Sequence, residues 1–186
     1  MADDLRAWLS KVEAKGELKR VDGADWNIEI GTVSVLHSKS EPCSALLFDN
    51  IKGYPAGHRV LTCSVTNLRR LQLALNLPET DSGMEVVRAM REKLSAWETT
   101  LHRFPCQVVK DGPILENVRS GKDVNLLELP IPKWHEEDGG RYLGTGDAII
   151  TRDPESGEIN LGTYRVMVHD EKTTGLYISP DRKSVV

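Results

Sequence analysis

Apolar residues recur at helical spacing over residues 5–14, where Leu5, Trp8, Leu9 and Val12 fall on one face, Asp3 or Asp4 can cap the start, and Gly16 can end it. Residues 18–21 then read as a short strand and 25–37 as a second helix, with Trp26, Ile30 and Val33 spaced for burial. Pro42 closes that unit. Two further strands, 45–48 and 60–65, flank the turning loop Gly53-Tyr54-Pro55-Ala56-Gly57. Helical spacing returns over 67–75 and 84–97, punctuated by Pro78 and Gly83. This alternation predicts an α/β (α+β) domain over residues 1–101.

Past Trp97 the pattern changes. Phe104-Pro105, Gly112-Pro113, Pro130 and Pro132 interrupt short strand-like runs and no long helical period recurs, which places a boundary near Leu101 and predicts a β-rich segment over 102–186. Its clearest part is 144–180. Residues 146–151 are apolar and β-branched, Asp153-Pro154-Glu155-Ser156-Gly157 is turn chemistry, and 159–169 is a second run with rough alternation. Glu171-Lys172-Thr173 turns into a third run at 174–178, so an antiparallel meander with polar groups on one face is predicted.

Composition narrows the function classes. The chain has 186 residues, 39% hydrophobic and 28% charged, which is globular and leaves one ordinary domain or two small ones open. A net charge of −4, a pI near 5.8 and few aromatic residues argue against nucleic acid, whose phosphates demand a basic face. Cys43, Cys63 and Cys106 are far apart with no CxxC, so they read as packing residues of a reducing, cytoplasmic protein. The start lacks a basic leader, and no apolar run reaches membrane-spanning length.

Within 144–180, Arg165 stands in an apolar run, where an arginine most often occupies a solvated face; its rigid fork of donors equally suits a carboxylate or phosphate. Asn160 is of a type that commonly ends strands. Residues five apart face opposite ways in a regular strand, so Asn160 and Arg165 share one site only if Asn160 begins the strand or a bulge intervenes, which Gly162 permits. His135-Glu136-Glu137-Asp138 lacks the second histidine of HExxH and reads as a charged loop. His169-Asp170, at a strand end, reads as a structural bond, and Gly144-Thr145-Gly146 is no dinucleotide loop.

The run GTGDAIITRDPESGEINLGTYRVMVHD followed by TGLYISP, with Asn160 five residues before Arg165 and Met167-Val168-His169-Asp170 behind it, resembles the UbiD family of prenylated-flavin-dependent decarboxylases. PIPKWHEEDGGRYLGTG at 130–146, FDNIKGYP at 48–55 and the opening helix extend the resemblance over nearly the whole chain. It implies the N-terminal part of an enzyme more than twice this length, an α/β domain followed by the first strands of an antiparallel split β-barrel of flavin-reductase type. The implied activity is reversible removal of CO2 from an aromatic or α,β-unsaturated carboxylic acid with prenylated FMN as electron sink. A flavin prenyltransferase would supply the cofactor, and the full-length protein would be a homo-oligomer.

The resemblance makes Arg165 the carboxylate-orienting catalytic arginine, working with glutamates expected beyond Val186. It makes Asn160 a ligand of manganese or magnesium, for which an amide oxygen is a hard neutral donor, and makes Thr163, Tyr164 and Thr145 flavin contacts. The family's metal-binding histidine is expected three residues past Pro180, where this chain has Lys183, a side chain that could meet the flavin phosphate directly but cannot ligate a cation. Two rival readings stand beside this one: a non-catalytic α/β interaction module or truncated product that pairs with a partner, and a simple FMN-binding barrel.

Overall fold

The computed structural model describes residues 4–103 and 108–179. The elements are α1 (Leu5–Ala14), β1 (Leu18–Asp22), α2 (Glu29–Ser38), β2 (Ala45–Asp49), β3 (Val60–Thr62), α3 (Leu68–Leu75) and α4 (Gly83–Thr100). Four single-turn 3-10 helices lead into β4 (Arg141–Tyr142), β5 (Asp147–Arg152), β6 (Ile159–Tyr164), β7 (Val166–Val168) and β8 (Thr174–Leu176). The α/β class is as expected. Strands β1, β2 and β3 form one sheet in that order, β4, β7 and β8 a second, and β5 with β6 a two-stranded ribbon. The chain divides into two compact units, one of residues 1–20, 36–47 and 61–118, the other of 21–35, 48–60 and 119–186.

In the first unit α1 begins where expected, because Asp4 accepts a hydrogen bond from the Ala7 N–H at 2.7 Å. Trp8 and Val12 turn inwards against Ala45, with Leu9, Leu18, Leu61 and Leu73 around them. Each large side chain so buried contributes about 1.5–3 kcal/mol. Strand β3 stops at Thr62, short of the expected 65, because Cys63 turns to φ +52° and the carbonyls of Cys63 and Ser64 accept from the Arg70 guanidinium. Arg70, 1% exposed, also meets Glu17 at 2.8 Å and Thr66 Oγ1 at 2.8 Å. Cys43 and Cys63 are not in disulfides, and burial raises the thiol pKa of Cys63; Cys106 lies outside the described residues.

In the second unit the helix expected from Asp25 starts only at Glu29. The intervening residues are drawn into a bridge: the Ile28 N–H donates to Lys133 O at 2.9 Å, and the Lys133 N–H donates to Trp26 O at 3.0 Å. Trp26 thereby lies under the Arg141 guanidinium, 4.1 Å from the ring centre. Arg141 donates also to Ile131 O at 2.7 Å and to the Tyr54 hydroxyl. Helix α2 packs so closely here that a Cβ on Gly31 would sit 1.9 Å from Trp134 O. Gly31→Ala should therefore destabilise by about 3 kcal/mol or more, against the small gain an alanine brings to an exposed helix position. A urea midpoint unchanged from wild type would show that this approach does not exist.

The single meander expected over 146–178 is not formed. The second run breaks at Arg165, so β6 pairs only with β5 while β7 pairs with β4 and β8. The β5–β6 register is regular from Asp147↔Tyr164 to Arg152↔Ile159, with no bulge at Gly162. The cause lies in β7, where Val166 and Val168 are buried and the Leu143 N–H donates to Val166 O at 3.0 Å, tying this segment to the other sheet.

Both expected turns are present and are built around aspartates. Asp153 accepts from the Glu155 N–H at 2.7 Å and the Ser156 N–H at 3.1 Å, and Asp170 accepts from the N–H groups of Lys172 and Thr173 at 2.8 Å each. These bonds, led by Glu155 for Asp153 and by Lys172 for Asp170, hold both carboxyls below the usual aspartate range. A carboxyl with a depressed folded pKa stabilises above its unfolded pKa, and that stabilisation is lost as pH falls through the folded value. The amides of Glu155, Ser156, Lys172 and Thr173 should thus lose hydrogen-exchange protection only below the ordinary aspartate range; loss near pH 6 would contradict this account.

Candidate functional site

Arg165 is the residue around which the second unit's β-segment turns. Its guanidinium meets Asp138 in a two-pronged pair: Nη1 and Nη2 donate to Oδ1 and Nη2 to Oδ2, each at 3.1 Å. The other face lies on the Tyr142 ring, 3.7 Å from its centre. The register explains the stack: Tyr142 stands opposite Met167 across β4 and β7, two residues past Arg165. The Arg165 side chain is 38% exposed, and its Nε is buried without a hydrogen-bond partner among the described residues. It is therefore not a freely solvated arginine.

Asp138 is prepared for that pairing. Its side chain is 10% exposed, Oδ2 also accepts from the His135 N–H at 3.0 Å, and its own N–H donates to His135 O at 3.1 Å. The 139–140 segment runs close over β7, where a Cβ on Gly140 would come within 3.3 Å of Met167 Sδ. The 135–138 run is thus more than a solvated charged loop: His135, Glu136 and Glu137 are exposed, but Asp138 turns inwards. In the sequence Asp138 is one member of the charged run 135–138, and Tyr142 does not stand out. A signal was present in Asp138-Gly139-Gly140, an acid followed by two residues with no side chain to hold the loop away from a strand.

Tyr142, Arg165 and Met167 line a hollow of about 560 Å³ together with Thr163, Tyr164, Gly175, Leu176 and Tyr177. Three phenol rings and one cation around an open space suit a planar aromatic group that carries an anion. His169, in the turn beyond β7, has its ring against Gly175, where a Cβ would lie 2.5 Å from Nε2, and its N–H donates to Thr173 O at 3.0 Å; this agrees with a structural role.

The other expected site residues are distributed. Asn160 and Tyr164 share the more covered face of β6, opposite Thr151 and Asp147 of β5, while Thr163 points to the exposed face. Asp147 Oδ2 and Thr151 Oγ1 on that covered face are buried without partners among the described residues. Asn160 and Arg165 are about 17 Å apart along extended chain, and Asn160 does not line the hollow. Thr145 is exposed in the β4–β5 connection. Lys183 lies outside the described residues, among which no cluster of three or more His, Cys, Asp or Glu could hold a metal ion.

Two family models match the chain: the 3-octaprenyl-4-hydroxybenzoate carboxy-lyase N-terminal domain over residues 9–90, and the Rift-related domain of the same carboxy-lyase over residues 107–186. The chain belongs to the UbiD family. Pyrrole-2-carboxylic acid decarboxylase of Pseudomonas aeruginosa is 31% identical over 180 residues, covering 91% of this chain but 35% of the relative. The vanillic acid decarboxylase of Sedimentibacter hydroxybenzoicus in its closed form superposes with a TM-score of 0.80 at 30% identity, over 95% of this chain and 37% of that one. An evolved dimeric form of the UbiD-class enzyme HmfF from Pelotomaculum thermopropionicum, in complex with prFMN, gives 0.75 at 32% identity, over 95% and 38%. This UbiD-family chain thus spans about a third of the length of the relatives it matches.

Proposed function

We propose that this chain forms the N-terminal and Rift-related regions of a decarboxylase that removes CO2 reversibly from an aromatic or α,β-unsaturated carboxylic acid with prenylated FMN. The observation that carries the reading is Arg165, held on one side by Asp138 and on the other by Tyr142 at the edge of an aromatic-lined hollow, in a chain of this family. The residues suit the cofactor: Tyr164, Tyr142 and Tyr177 offer faces to a flat ring, and Thr163 and Thr145 offer hydroxyls. When bound, prenylated FMN supplies the electron sink for cleavage of the carbon–carboxylate bond. Arg165 binds and orients the carboxylate, and the tyrosine rings exclude water from it.

The finer parts of the reading rest on the resemblance. The division into domains at 1–101 and 102–186 and the closure of the β-segment into a split barrel follow the family. So does Asn160 as a manganese or magnesium ligand, with Lys183 beside the flavin phosphate where a histidine ligand is usual. A homo-oligomer, a prenyltransferase supplying the cofactor and a cytoplasmic location complete it; no helix among the described residues is long and apolar enough to cross a membrane.

The test is expression within the complete reading frame beside a flavin prenyltransferase. The protein should purify with a modified-flavin absorption band and release CO2 from a panel of aromatic and acrylic acids. Ordinary FMN without CO2 release would favour the electron-carrying barrel. A protein with no affinity for either flavin would return it to the interaction module.

A further inference from the structure

We propose that Asp138 is the positioning residue of this site: its carboxylate fixes the Arg165 guanidinium in a single pose from which Arg165 holds the substrate carboxylate. The inference rests on the reading of Arg165 as the carboxylate-binding group. An arginine side chain has four rotatable bonds, and one that is 38% exposed would ordinarily sample many poses. Here three contacts at 3.1 Å to a single carboxylate define the guanidinium's plane and end, and the Tyr142 ring covers one face of that plane. Asp138 is itself fixed, because the His135 N–H holds Oδ2 and the reciprocal bond to His135 O closes the loop. The pair leaves Nε–H, a buried donor without a partner among the described residues, on the edge that Asp138 does not use. Asp138 touches no reacting atom and acts only through Arg165.

Asp138 also has an electrostatic effect of opposite sign. Its negative charge weakens the attraction of Arg165 for any anion, while its grip improves the geometry in which that anion is held. The two separate in kinetics. Asp138→Asn removes the charge and half of the grip at constant shape, so carboxylate binding should be retained or tightened while turnover falls by about ten- to a hundredfold. A residue that merely supported the fold would lower kcat only through the fraction of active protein, so kcat is referred to the flavin-loaded protein; that fraction moves neither KM nor the Nε–H exchange of the folded molecules.

The decisive comparison uses the holoenzyme with wild type, Asp138→Asn, Arg165→Lys and the double variant, reading kcat and KM separately. The Arg165 Nε–H resonance supplies a second readout independent of catalysis. The expected result is a fall in kcat without a rise in KM for Asp138→Asn, no further loss when it is added to Arg165→Lys, and faster exchange of the Nε–H with solvent. Unchanged kcat and unchanged Nε–H exchange in Asp138→Asn, with Arg165→Lys impaired, would overturn the positioning role alone. Full activity of Arg165→Lys would instead overturn the reading on which it rests. Should Asp138→Asn fail to fold, Asp138→Glu keeps the charge but lengthens the side chain and displaces the grip; a sharp, slowly exchanging Nε–H in that variant at wild-type kcat would equally overturn the positioning role.

Discussion

Arg165→Lys in the holoenzyme is expected to lose about two to three orders of magnitude in kcat/KM while the protein stays folded. Lysine keeps the charge, so any contribution from a simple field at the hollow survives. What it lacks is the planar fork, which here meets Asp138 through two nitrogens and lies flat on Tyr142. An ammonium group can replace neither the two-pronged contact nor the stack, and so cannot hold a carboxylate at a fixed angle. The fold should tolerate the change, since Arg165 is more than a third exposed and exposed ion pairs contribute little to stability. The check is steady-state turnover on an aromatic acid with a melting curve alongside. Turnover within a few-fold of wild type would return Arg165 to a structural arginine.

The second large effect is on stability and lies in the other unit. Arg70→Met should cost about 3–5 kcal/mol, because it removes one partner of a buried pair and leaves the other behind. Arg70 is 1% exposed; Glu17 meets it at 2.8 Å and also accepts from Asn67 Nδ2 at 2.9 Å. Without the guanidinium, Glu17 keeps among the described residues only that amide, and the carbonyls of Cys63 and Ser64 lose the donor for which the chain turns. The double variant with Glu17→Leu should recover part of the loss, since no unpaired charge then remains. Chemical denaturation of the four corners of this cycle measures the coupling. A cost for Arg70→Met within about 1 kcal/mol of zero would mean that the pair adds nothing beyond a surface bridge.

Elements governed by local chemistry were legible in the residues. Asp4 caps α1 because a carboxylate beside three free N–H groups is favourable whatever surrounds it, and Asp153 and Asp170 shape their turns for the same local reason. Arg165 was legible as a residue of interest from the resemblance. Its partners were not, because Asp138 lies 27 residues away and nothing in a charged run states which member turns inwards. The late start of α2 was hidden likewise: Trp26 and Ile30 have helical spacing, but the bridge from Ile28 to Lys133 spans more than a hundred residues and overrides it. The missing bulge at Gly162 has the same origin. A regular ribbon and a break at Arg165 stand where a bulge was expected, and the choice is made by the buried valines of β7.

That break makes the β-segment modular with respect to insertions and deletions. Among the described residues β6 pairs with β5 alone, and β7 with β4 and β8, so the two registers are set independently. A length change in the turn at 153–157 can shift the β5–β6 register, but it leaves the pairing of β7 untouched. A single residue gained or lost inside β6 would carry Asn160 to the opposite face while β7 kept its pairing. The spacing from Asn160 to Arg165 should therefore resist length variation far more strongly than the identity of the residues between them.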